Sequence, residues 1–107
     1  MSIIIDSHED IACNILRFNR DYSLPVAETR RREFGSPIPA LNFGDAMLGW
    51  PEYQAGQVAV IFATLFAPPL RYEKDPLFSL AYLTVEQARD AYKKQLDVYN
   101  QLVDQHP

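Results

Sequence analysis

An α/β fold built on parallel strands is what this sequence predicts, and three stretches predict it. Ile3-Ile4-Ile5 and Val58-Ala59-Val60-Ile61-Phe62 are short apolar runs rich in β-branched residues, with no polar alternation. Strands that read this way are covered on both faces, which is the habit of parallel sheets. The third stretch is a long amphipathic helix from Thr84 onward, as expected of a layer packed on a sheet. Parallel strands need a crossover of a dozen residues or more between them. The separation of the two runs leaves room for one.

In order along the chain, residues 2–6 are predicted as strand one. The polar cluster Asp6-Ser7-His8-Glu9-Asp10 follows directly. In extended backbone, residues two apart point to the same side, so His8 and Asp10 are placed to reach one ion together, with Asp6 one step deeper. A His and a carboxylate at the C-terminal end of a buried strand is the way α/β barrels present metal ligands. Asp10 also reads as the N-cap of a helix over Asp10–Phe18, in which Ile11, Ile15 and Phe18 form one stripe. Both readings of Asp10 stay open from the residues alone.

Asn19 to Asn42 is punctuated by Pro25, Gly35, Pro37 and Pro39. One short helix is predicted there, Val26 to Phe34, ended by Gly35. Asp45 reads as a helix N-cap ahead of Ala46-Met47-Leu48, and Gly49-Trp50-Pro51 as an interruption. Trp50 and Tyr53 are expected to pack at the edge of a core. Gly56 is expected to turn the chain into strand two, Gln57 to Phe66, where Thr64 is the one polar member after Gln57. Pro68 and Pro69 stop that strand, and Leu70 to Ser79 are predicted as loop. Thr84-Val85-Glu86-Gln87 fits a capping box. Val85, Ala88, Tyr92, Leu96, Tyr99, Leu102 and Val103 then recur at helical spacing.

Composition narrows the function classes. The chain has 107 residues, at most one domain, and a net charge of −4, so no basic surface points to nucleic acid. The one basic run, Arg30 to Arg32, is flanked by Glu28 and Glu33 and reads as a solvated face. Cys13 is the only cysteine. An internal disulfide is excluded, and a small buried hydrophobe is the expected role for Cys13 among Ile11, Ala12, Ile15 and Leu16. Met1 leads straight into strand with no basic leader, and no run is long enough to span a bilayer. The expectation is a cytoplasmic protein.

The Asp6-Ser7-His8-Glu9-Asp10 segment resembles the opening of the membrane dipeptidase (renal dipeptidase) family of zinc peptidases. Ser7 stands for that family's usual Gly and Glu9 for its usual Asn. A second likeness runs from Gly44-Asp45-Ala46-Met47-Leu48 to Ala55-Gly56-Gln57-Val58, similar to the family's Asp-Leu-Pro segment and its Ala-Gly-x-Val approach to the next strand. The likeness covers most of the first 68 residues and continues loosely through the last helix.

The resemblance implies the first two strand-helix units of a (β/α)8 TIM-like barrel, since a whole barrel takes on the order of 250 residues. It implies an enzyme holding two zinc ions that hydrolyses the peptide bond of dipeptides, with tolerance for a D-residue at the second position. His8 and Asp10 correspond to ligands of one zinc. The bridging Glu, the remaining His ligands and the acid-base residue belong to later strands in that family, so no catalytic residue is expected within residues 1–107. The chain alone is expected to be inactive, and either to self-associate through the open edges of its strands or to belong to a longer polypeptide. Two other readings stand beside this one. One is a different amidohydrolase-like metal-dependent hydrolase. The other is a non-catalytic α/β interaction module in which Asp10 caps a helix and His8 is packed.

Overall fold

The computed structural model describes residues 2–73 and 80–106. It is mixed α/β. Strand β1 (Ile4–Glu9) pairs with strand β2 (Val58–Ala63) in a two-stranded sheet. The Ile4 amide donates to the Gln57 carbonyl at 3.0 Å and the Thr64 amide to the Glu9 carbonyl at 3.0 Å. Partners therefore advance together along both strands, and the pairing is parallel, as expected of two non-alternating runs. Strand β1 starts two residues later and ends three residues later than expected, so it carries the chain through His8.

The expected burial of both strand faces is not found. Ile4, Ile5, Val60 and Phe62 are 50%, 59%, 45% and 59% exposed. Apolar content specifies a surface that favours cover, but it does not itself supply the cover.

The fold divides into two compact units, residues 1–7 with 20–61 and residues 8–19 with 62–107. The first unit holds helices α2 (Val26–Glu33), α3 (Ile38–Leu41) and α4 (Trp50–Ala55). Its interior is notably ionic. Arg20 and Glu33 are both buried, and Arg20 donates to Glu33 through Nε at 3.0 Å and Nη2 at 2.7 Å. Glu33 thus departs from the solvated face expected of it. Arg31 and Arg32 do pair with Glu28 on the surface, while Arg30 donates to the Ala46 carbonyl at 2.6 Å.

Residues 45–49 are irregular, and the expected interruption Gly49-Trp50-Pro51 is in fact the start of α4. Proline is tolerated in a first helical turn because its missing N–H would have no helical partner there. Gly49 is required by close approach: a Cβ would fall 2.5 Å from the Leu24 carbonyl oxygen. Tyr53 is buried, whereas Trp50 stays 41% exposed. At the lead into β2 the left-handed residue is Gln57, at φ 58°, rather than Gly56. Helix α3 was not expected, because two prolines and four residues leave no periodicity to read.

The second unit holds α1 (Ile11–Phe18), a 3-10 turn over Leu70–Tyr72, and α5 (Val85–Gln105). The expected loop from Leu70 to Ser79 contains that turn, and its residues 74–79 lie outside the described residues. Asn19 ends α1 in the left-handed region, its amide returning to the Ile15 carbonyl at 2.9 Å. Cys13, Ala67, Leu80 and Ala91 form the core, with Tyr82 against them. Cys13 is buried as expected, and burial pushes its thiol up from the usual value while Arg17 pulls it down.

Helix α5 opens with the expected capping box between Thr84 and Gln87. Its packing differs from expectation in two ways. Its main partner is helix α1 rather than a sheet face. Its buried positions are Ala91 and Gln95, while Val85, Leu96 and Val103 of the expected stripe are exposed. The Gln95 side chain explains the rotation. Its amide nitrogen donates to the Phe66 carbonyl at 2.6 Å and its oxygen accepts from the Phe66 amide at 2.8 Å. Phe66 lies three residues past the end of β2, and a buried primary amide supplies both the acceptor and the donor that its backbone amide and carbonyl take.

Candidate functional site

The polar end of β1 is where the chemistry-bearing residues gather. His8 is the penultimate residue of the strand and Asp10 is the residue that joins it to α1. Their i, i+2 spacing puts both side chains on one side, with His8 Nε2 3.4 Å from Asp10 Oδ1. Both side chains are open to solvent, at 70% and 44% exposure. Asp6 lies two residues earlier in the same strand.

Asp10 sits at the N-cap position of α1 without doing the work of a cap. Its backbone, at φ −94° and ψ 59°, is outside the extended region usual there, and its side chain accepts no amide from the first turn. The carboxylate accepts the hydroxyl of Thr64 instead, through the same Oδ1 that faces His8. The first-turn amide of Ala12 donates to the phenol oxygen of Tyr99, at 3.2 Å. Tyr99 in turn donates to the Thr64 carbonyl at 2.6 Å. Burial raises the phenol above its ordinary pKa.

The donor pair suits a metal ion in distance and kind. Zinc bonds to His nitrogen and carboxylate oxygen at about 2.0–2.2 Å, so two ligands on one tetrahedral ion stand about 3.3 Å apart. The observed 3.4 Å matches that edge. The number of donors does not complete a site. Among the described residues no group of three or more His, Cys, Asp or Glu side chains is gathered to hold an ion, and zinc sites take three or four protein ligands.

Nucleophilic catalysis fits the arrangement poorly. The Thr64 hydroxyl bonds a carboxylate rather than the imidazole, so His8 is not set to take its proton as a triad base would. A cavity of about 380 Å³ in the second unit is lined by Leu70, Leu80, Leu83 and Gln87 among others, and neither His8 nor Asp10 reaches it.

His8 and Asp10 are the residues singled out from sequence, and the fold brings them together. Thr64 was visible as the lone hydroxyl near the end of β2. Tyr99 was counted only as an apolar position of α5, and no local signal marks its hydroxyl as a partner of α1. No helix among the described residues is long and apolar enough to cross a membrane. No family model, curated protein or solved structure matches the chain.

Proposed function

We propose that the chain contributes the His-Asp half of a zinc site to a metal-dependent hydrolase of the membrane dipeptidase kind, as the first two strand-helix units of a (β/α)8 barrel. The observation that carries the reading is the 3.4 Å approach of His8 Nε2 to Asp10 Oδ1 at the C-terminal end of a parallel strand. Thr64, at the matching end of β2, supports it by bonding Asp10, since barrel chemistry draws on the ends of several strands.

In this reading His8 and Asp10 hold one of two zinc ions, and the bridging Glu and further His ligands come from later strands, as in the family the sequence resembles. Zinc, where bound, would act as a Lewis acid and lower the pKa of a water toward about 7. The roles of this chain's residues are to ligate and to orient. His8 offers Nε2, Asp10 offers a carboxylate oxygen, and the solvent-open side of the pair admits a dipeptide. Two ligands alone hold zinc weakly, so residues 1–107 by themselves are inactive in hydrolysis. The edges and uncovered face of β1 and β2 associate with another copy or with the rest of a longer polypeptide.

The discriminating experiment is dipeptide hydrolysis by the product of the complete reading frame, with and without zinc. Zinc-dependent cleavage that is lost in both His8→Ala and Asp10→Ala supports the reading. Hydrolysis that survives both substitutions refutes it. A second reading, the non-catalytic α/β module, is favoured by the Thr64 bond that already satisfies Asp10. It requires full stability without metal and no zinc-dependent cleavage.

A further inference from the structure

We infer that Tyr99 and Thr64 are positioning residues for the His8–Asp10 pair, with Tyr99 taking over the capping of α1 so that Asp10 is released to face His8. The inference rests on the proposed metal reading for its purpose, but its geometry stands without it.

A residue at a helix N-cap with a short carboxylate ordinarily turns that carboxylate onto the free amides of the first turn. Asp10 does not. The reason lies 89 positions away in sequence. The phenol oxygen of Tyr99 accepts the Ala12 amide, so one of the donors that would attract the carboxylate already has a partner. The same hydroxyl donates to the Thr64 carbonyl at 2.6 Å, which ties α5 to the end of β2. Thr64 is further held by its own amide, bonded to the Glu9 carbonyl at 3.0 Å. From that fixed position its hydroxyl donates to Asp10 Oδ1. A closed circuit results, running from Ala12 to Tyr99, Thr64, Asp10 and back along the chain. Each member restrains the next, and the Asp10 carboxylate, 44% exposed, is held beside His8.

Outer partners of this kind orient a ligating carboxylate, and losing one typically costs about 10–100-fold in metal affinity. Tyr99→Phe removes the acceptor for Ala12 and gives Asp10 a reason to swing onto the helix. Thr64→Val removes the hydroxyl that holds Oδ1, while Thr64→Ser keeps it.

The test uses two readouts on the 107-residue chain. Cobalt(II) is titrated while the paramagnetic shift of the His8 ring protons is followed. In metal-free protein, three-bond couplings report the χ1 rotamer of Asp10. The expected result is about 10–100-fold weaker cobalt binding in Thr64→Val and Tyr99→Phe, wild-type binding in Thr64→Ser, and a single Asp10 rotamer that switches or averages only in the first two. A rotamer and an affinity unchanged in both Thr64→Val and Tyr99→Phe overturn the inference. Absence of cobalt binding to wild type, with the Asp10 rotamer still responding to both substitutions, supports the positioning role and counts against metal binding by the pair within residues 1–107. If Tyr99→Phe fails to fold by circular dichroism, Thr64→Val against Thr64→Ser decides alone.

Discussion

Replacing Gln95 by Leu perturbs the structure at its most enclosed polar side chain. Gln95 has no solvent exposure and makes three hydrogen bonds, to the Phe66 amide at 2.8 Å, the Phe66 carbonyl at 2.6 Å and the Ala91 carbonyl at 3.3 Å. Leucine has nearly the same volume, so packing changes little and the loss falls on the polar partners. An abandoned buried backbone group costs about 1–3 kcal/mol. Phe66 is itself 45% exposed, which lets water recover part of that, and the buried leucine adds some hydrophobic stabilisation. The net expected loss is about 2–3 kcal/mol. At about 4–8 °C per kcal/mol for a domain near this size, Tm falls by roughly 10–20 °C. Gln95→Glu is expected to cost more, because a carboxylate there faces two carbonyl oxygens and loses its hydration. Urea titration followed by circular dichroism measures both, and amide exchange at Phe66 locates the effect. A Gln95→Leu protein within about 0.5 kcal/mol of wild type, the range of an ordinary surface change, would refute the role given to this side chain.

The remaining predictions concern the first unit and the strand faces. Glu33→Ala removes the carboxylate that faces the buried Arg20 guanidinium and is expected to destabilise by about 3–5 kcal/mol, while Arg20→Met with Glu33→Leu costs less than either single change; equal costs for the pair and the singles would contradict this. Hydrogen bonds from Arg31 and Arg32 hold the Glu28 carboxyl at about 2, below its usual 4.5, so whatever stability it adds is complete above pH 4.5 and is lost as pH falls through about 2. A carbon-detected titration of that carboxyl with a midpoint near the ordinary value of 4.5 would contradict it. Ile4, Ile5, Val60 and Phe62 are about half exposed, and covering what remains open is worth about 1 kcal/mol each. Sedimentation equilibrium at micromolar concentration is therefore expected to show species heavier than 12.3 kDa, reduced by Phe62→Lys; a monodisperse monomer would count against it.

The parts of the fold that could be read from sequence are those whose cause is local. Unbroken runs such as Ile3-Ile4-Ile5 and Val58 to Phe62 state that a strand lacks a polar face, and parallel pairing follows. Thr84 and Gln87 cap each other within four residues, so the start of α5 was legible. The approach of His8 to Asp10 was legible in part, because extended backbone points residues two apart to the same side, but the Thr64 bond that holds the Asp10 carboxylate was not. The rest depends on partners distant in sequence. Gln95 counts as polar in any periodicity, so the apolar stripe of α5 was centred on Leu96, and only its bonds to the Phe66 backbone explain why an amide is buried. Glu33 sits beside three arginines and reads as solvated, yet its partner is Arg20 from before the helix. Tyr99 scores as apolar whether or not its hydroxyl is used.

The central claim is that His8 and Asp10 ligate one metal ion together, and it is tested most directly by anomalous diffraction at the zinc edge from zinc-soaked crystals of the product of the complete reading frame. The account predicts an anomalous peak about 2.0–2.2 Å from both His8 Nε2 and an Asp10 carboxylate oxygen, absent from crystals of the Asp10→Asn protein. Zinc bound only elsewhere on the chain, or a His8–Asp10 pair that stays empty at millimolar zinc, would contradict it.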